Sequence, residues 1–121
     1  CDKSGKIHAF YNVCRHRGAK VCSTNQTGCK QLVCPYHWWS YRLDGSLKST
    51  PPAATPQERK SELGLQPVPG LETFAGVVFL NQSPNPTPLK EYLGDFTEKV
   101  KRYDLDNLEF SGKKEYNIKG D

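Results

Sequence analysis

Tyr11 to Cys22 reads YNVCRHRGAKVC and Cys34 to Ser46 reads CPYHWWSYRLDGS, and these two stretches decide the fold. They set Cys14 and His16 as C-x-H and, after a gap of 17 residues, Cys34 and His37 as C-x-x-H. Two thiolates and two neutral imidazoles suit either a tetrahedral zinc ion or a 2Fe-2S cluster whose cysteines take one iron and whose histidines take the other. The spacing favours the cluster. Zinc pairs usually leave one turn together as like ligands, about two to four residues apart for cysteines and three to five for histidines. Here each loop contributes one cysteine and one histidine, as a loop must if it serves both irons. A structural zinc module is the remote alternative.

Outward from these loops, Ile7 to Val13 carries enough β-branched and aromatic side chains for a strand ending at the first loop, after a Ser4-Gly5 turn. Gln31 to Val33 reads as a short strand entering the second loop. Trp38 to Leu43 alternates aromatic and polar residues, Asp44-Gly45 is a hairpin turn signal, and Ser46 to Lys48 is the expected return strand. Both ligand loops are thus expected at hairpin tips. Ser49 to Gly64, with Pro51, Pro52 and Pro56 and then mixed charge, reads as an exposed excursion. Leu71 to Asn81 reads as a buried strand. From Leu89 to Tyr103 the apolar residues recur at helical spacing, giving one helix or two broken at Gly94, with Thr87 as N-cap and Pro88 in the first turn. The aromatic stripe of that helix is expected to pack on the sheet. Leu108 to Ile118 reads as extended and mostly polar.

The 121 residues are one domain's worth, and the ten glycines and nine prolines mark a loop-rich chain. No apolar run approaches the roughly 18 residues of a membrane span, and no basic stripe interleaved with aromatics argues for nucleic acid. Neither a membrane nor a nucleic acid is expected as partner. Five cysteines, an odd number, together with the C-x-H pairing favour ligation over a disulfide framework. The net charge is +4, and Arg15, Arg17 and Lys20 crowd the first loop. The chain holds no methionine and opens at Cys1 within an apparent strand and turn. A piece of a longer protein is therefore expected, cytoplasmic, or organellar where an upstream targeting segment has been lost.

The residues from Tyr11 to Ser46 resemble the Rieske iron-sulfur domain of ring-hydroxylating and choline-monooxygenase-type oxygenases. The resemblance continues through SELGLQPV, GVVFLN and PLKEYLGDF and so covers nearly the whole chain. It implies a mostly β fold of stacked antiparallel sheets, with cluster-binding hairpin loops and a short C-terminal helical segment. Residues 1–121 would then be one Rieske domain, shortened before Ile7 and ending ahead of a catalytic domain. It implies one-electron transfer through a [2Fe-2S] cluster held by Cys14, His16, Cys34 and His37. The electron would pass to a mononuclear Fe(II) in the catalytic domain of the same or a neighbouring subunit, within a homotrimer supplied by a reductase or ferredoxin. The alternative function is a stand-alone Rieske ferredoxin, though such carriers tend to lack the SELGLQPV to PLKEYLGDF extension.

Charge counting gives this ligand set its use. Two ferric ions, two sulfides and two thiolates sum to zero, whereas four thiolates leave the cluster at minus two. An added electron then costs less, which agrees with potentials of roughly −150 to +300 mV against about −400 mV for four-cysteine clusters. Arg15, Arg17, loop N–H groups and Tyr41 are candidate donors toward the reduced cluster. The respiratory Rieske proteins carry a disulfide cysteine in each loop where this chain has Ala19 and Tyr36, so the oxygenase branch is favoured. The family's glycine after the second histidine is Trp38 here. Cys22 and Cys29 are expected as small thiols outside the cluster, His8 as a structural residue. The three histidines cannot furnish a second, mononuclear iron site once two are committed.

Overall fold

A computed structural model describes residues 1–52 and 57–120. Three strands, β1 (Leu32–Val33), β2 (Ser40–Tyr41) and β3 (Leu47–Ser49), pair antiparallel in chain order. Leu32 faces Tyr41 and Val33 faces Ser40, so the β1–β2 hairpin carries the second ligand loop at its tip. A register shift between Ser40 and Tyr41 bends β2 where it joins β3. Asp44 fixes the β2–β3 turn, its carboxylate accepting from Ser46 N–H at 2.9 Å and from the Ser46 hydroxyl at 2.6 Å. A second antiparallel pair, β4 (Gly70–Phe74) and β5 (Val77–Asn81), follows, then helices α1 (Leu89–Leu93) and α2 (Phe96–Val100). The antiparallel architecture with a short helical end is the expected fold class.

Several elements differ from expectation for physical reasons. Ile7 to Val13 makes only one bridge, Phe10 to Pro67. Tyr11 N–H reaches Gln66 O at 2.9 Å and Val68 N–H reaches Ala9 O at 3.0 Å, one bond on each side of the Phe10–Pro67 pair, and the ladder extends no further. The first ligand loop is therefore held by its own hydrogen bonds and not by flanking strands. Leu71 to Asn81 is two strands of a hairpin, turned at Ala75 (φ 50°) and Gly76 (φ 75°), and Val77, Val78 and Leu80 are exposed. The helix does break at Gly94. Its N-cap is Pro88 and not Thr87, and the first free N–H, that of Leu89, is satisfied by Glu72 Oε1 at 2.7 Å from β4. Tyr92, Phe96 and Tyr103 face solvent, so the aromatic stripe does not pack on the sheet; only Leu89 of that segment is buried. The Ser49 to Gly64 excursion forms 3-10 turns over Gln57–Leu63, and its residues 53–56 lie outside the described ones.

The core gathers directly beneath the ligand loops. Cys14, Val21, Cys34, Trp39, Tyr41, Leu47 and Leu65 form one buried cluster, with Phe10, Ala19, Leu32 and Leu63 packed against it. Leu65 N–H donates to Gly45 O at 2.8 Å and ties the 64–68 segment to the β2–β3 turn. The apolar burial that stabilises this small domain is the same burial that dries the thiols.

Candidate metal centre

The two ligand loops share one backbone design. In the first, Cys14 N–H donates to Ala19 O (2.8 Å) and Gly18 N–H to Cys14 O (3.0 Å); in the second, Cys34 N–H donates to Trp39 O (2.9 Å) and Trp38 N–H to Cys34 O (3.0 Å). Each loop thus closes by a bond to the cysteine carbonyl from the residue four positions on, which takes a left-handed conformation: Gly18 at φ 74° and Trp38 at φ 54°. Glycine adopts this freely and tryptophan does not. Pro35 presets φ after Cys34.

The four sequence-predicted residues come together at this tip. Cys14 is 3% exposed and Cys34 1%. The His16 and His37 rings lie 4.7 Å apart at 72°. Both Nδ1 atoms are buried without a hydrogen-bond partner, while each residue as a whole is only half-buried. Orphaned buried nitrogens cost about 1–3 kcal/mol each unless something binds them. Burial holds the His16 imidazole below its ordinary pKa, with His37 and then Arg17 adding to the effect. The neutral form that a metal requires is therefore favoured. Among the described residues, no three His, Cys, Asp or Glu side chains converge on a single ion. Two buried thiols and two orphaned imidazole nitrogens fit a binuclear group with two protein ligands per metal.

Neighbouring side chains orient these four. Tyr41, fully buried, puts its hydroxyl 3.2 Å from Cys14 Sγ and accepts Arg15 N–H at 3.1 Å. Burial, then the Cys14 contact, pushes its phenol well above the usual range, so the proton stays available to the sulfur. Trp39 stacks on His16 (4.9 Å, 9°) and Tyr36 lies against His37 (3.8 Å). The Arg15, Arg17 and Lys20 side chains are exposed. Asn12 was not legible as a site residue: its Oδ1 accepts from Val21 N–H (3.0 Å) and Cys22 N–H (2.9 Å), and its Nδ2 donates to Cys22 O (2.6 Å). These partners are nine and ten residues away, and no local pattern announces them. Cys22 and Cys29 are half-buried free thiols, the former raised in pKa by burial and then by Cys29. His8 pairs with Asp2 at 2.7 Å, apart from the loops.

The model of the Rieske [2Fe-2S] domain matches residues 1–75. The chain belongs to the Rieske [2Fe-2S] domain family. The glycine betaine monooxygenase oxygenase subunit of Pseudomonas aeruginosa (strain UCBPP-PA14) is 36% identical over 103 residues, covering 85% of this chain and 24% of that protein. The chloroplastic choline monooxygenase of Beta vulgaris is 37% identical over 121 residues, covering 95% of this chain and 27% of that protein. Naphthalene 1,2-dioxygenase from Rhodococcus sp. superposes with a TM-score of 0.75 at 36% identity, covering 82% of this chain and 23% of that one. The Rieske domain described here thus spans about a quarter of the length of these relatives. The family brings its cofactor, a [2Fe-2S] cluster. Among the described residues, no helix is long and apolar enough to cross a membrane.

Proposed function

We propose that residues 1–121 form the electron-relay domain of a Rieske non-heme iron oxygenase, with Cys14 and Cys34 on one iron of the cluster and His16 and His37 on the other. The observation that carries this reading is the pair of buried, partnerless Nδ1 atoms on imidazoles 4.7 Å apart. Ligation through Nδ1 removes two orphaned acceptors and leaves each Nε2 for the surface. When bound, the cluster supplies a one-electron couple whose histidine ligands raise it above four-cysteine clusters. Tyr41 directs its hydroxyl at a ligand sulfur, Trp39 fixes the His16 plane, and the core beneath keeps water from the thiols. A zinc reading fits less well, because a single ion would need three or four of these groups to converge.

The electron's destination is a mononuclear non-heme iron in a catalytic domain of the same or a neighbouring subunit, and its source a reductase or ferredoxin. Similarity to oxygenase subunits over 103 residues supports this above a stand-alone ferredoxin. A homotrimeric parent and a reducing compartment, cytoplasm or organelle, complete the proposal. Iron and acid-labile sulfide analysis of the purified protein tests the assignment. Equal iron and sulfide are expected, and zinc without sulfide would sink it. His37→Ala should abolish the Rieske EPR signal of the reduced protein, and its persistence would remove His37 from the site.

A further inference from the structure

Four cations that are distant in sequence meet at the opposite end of β2 from the second ligand loop. A cleft of about 450 Å³ there is lined by Lys3 of the N-terminal turn, Lys30 ahead of β1, and Arg42 and Lys48 on either side of the β2–β3 turn, together with Asp2 and Asp44. All four cations are exposed, and among the described residues none of them forms an ion pair. The two carboxylates are occupied within their own turns. Asp2 Oδ1 accepts from the Ser4 N–H (2.8 Å), the Ser4 hydroxyl (2.6 Å) and the Lys6 N–H (3.1 Å), and its Oδ2 meets His8 Nε2 at 2.7 Å. Asp44 Oδ1 takes the Ser46 N–H and hydroxyl. Arg42 and Lys48 are held instead by neutral oxygens: Arg42 Nη1 donates to Ser46 Oγ and Leu47 O at 3.4 Å each, and Lys48 Nζ to Gln31 Oε1 at 2.5 Å. These bonds orient the two cations and leave their charge unneutralised.

We infer that this cleft binds a ligand carrying a diphosphate group, with Arg42 supplying the planar fork and Lys3, Lys30 and Lys48 the point charges. Cations gathered in a concave site with no paired anion repel one another and concentrate negative ligands. Four positive and two negative side chains leave the lining at +2, and the negative pair is already taken up by N–H and O–H donors. A carboxylate or halide meets one or two of these cations, whereas a diphosphate presents oxygens on two linked centres and meets several at once. Guanidinium and ammonium groups bind phosphate oxygens through charge-assisted bonds, the first as a fork and the second as a compact charge. The volume falls in the range of small-molecule sites. The site lies away from Cys14, His16, Cys34 and His37 and is independent of the relay function proposed above.

Calorimetric titration of the full-length, cluster-loaded protein with inorganic pyrophosphate, orthophosphate and ADP at physiological ionic strength tests this. Saturable one-to-one binding of pyrophosphate is expected, about tenfold or more tighter than orthophosphate. Lys3→Glu and Lys30→Glu, both on exposed turns, should each weaken it by about tenfold or more with the visible spectrum unchanged, and Lys30→Arg should retain it. ADP binding equal to pyrophosphate identifies a free diphosphate as the ligand, and tighter ADP binding identifies a nucleotide; either supports the site. Absence of saturable binding at that ionic strength would overturn the inference, since charge attraction of exposed lysines alone is screened there. Equal affinity for orthophosphate, or pyrophosphate binding unchanged in both lysine variants, would overturn it too. So would a single-stranded oligonucleotide that binds more tightly than pyrophosphate and is lost in Lys30→Glu, which would make the cleft part of a nucleic-acid surface.

Discussion

Removing one oxygen atom, Tyr41→Phe, isolates the hydrogen bond to Cys14 while keeping the ring that fills the core. The phenol oxygen sits 3.2 Å from Cys14 Sγ and also takes the Arg15 N–H at 3.1 Å, so the variant loses two bonds and orphans one partly buried donor. The folding cost should be about 1–3 kcal/mol. Hydrogen bonds to charged groups are worth about 1.5–3 kcal/mol, and only the part that strengthens when the electron arrives moves the potential. If that part is near 1 kcal/mol, the conversion of 59 mV per tenfold, or about 1.4 kcal/mol, gives a fall of roughly 40 mV. Spectroelectrochemical titration of wild type and variant measures it. A folded, cluster-loaded Tyr41→Phe with an unchanged or raised potential would refute the assignment of Tyr41 as a donor to the ligand sulfur.

Other positions give independent checks. Gly45→Ala would force a methyl against Phe10, with Cζ at 2.6 Å, at a residue with φ 84°; denaturant unfolding should show a loss of about 2–4 kcal/mol. Glu72→Ala removes the acceptor for Leu89 N–H and should cost about 0.5–2 kcal/mol locally, read as faster amide exchange in α1, whereas Glu72→Gln retains most protection. Asp2 is held below its ordinary 3.8 first by the Ser4 hydroxyl and then by His8, so its carboxylate stabilises the fold above that pH and the contribution disappears as pH falls through the lower folded value. Asp2→Asn should therefore melt below wild type at pH 7, with the gap closing progressively on acidification below 3.8.

The ligand hairpin was legible because its signals are local: Asp44-Gly45 is a turn by chemistry, and C-x-H with C-x-x-H fixes two loops that must meet. The β4–β5 hairpin was not, since Ala75 lies in a turn position normally given to asparagine, aspartate or glycine, and the mostly apolar stretch from Phe74 to Leu80 then reads as one buried strand. Helical spacing found the break at Gly94 but not which face is covered, and Tyr92 and Phe96 prove exposed. The capping by Glu72, the Asn12 clamp and the Phe10–Pro67 bridge are contacts between distant segments, which periodicity cannot reveal. At the site, Trp38 was visible as a departure from the family's glycine, but only its φ of 54° shows that the loop keeps the glycine conformation and bears the strain.

Pulsed EPR of the reduced protein grown with 15N-histidine tests ligation most directly. Two strong nitrogen couplings, which vanish with the whole signal in His37→Ala, are expected if His16 and His37 hold the reduced iron through Nδ1. Couplings from neither histidine would contradict the proposed Rieske ligand set.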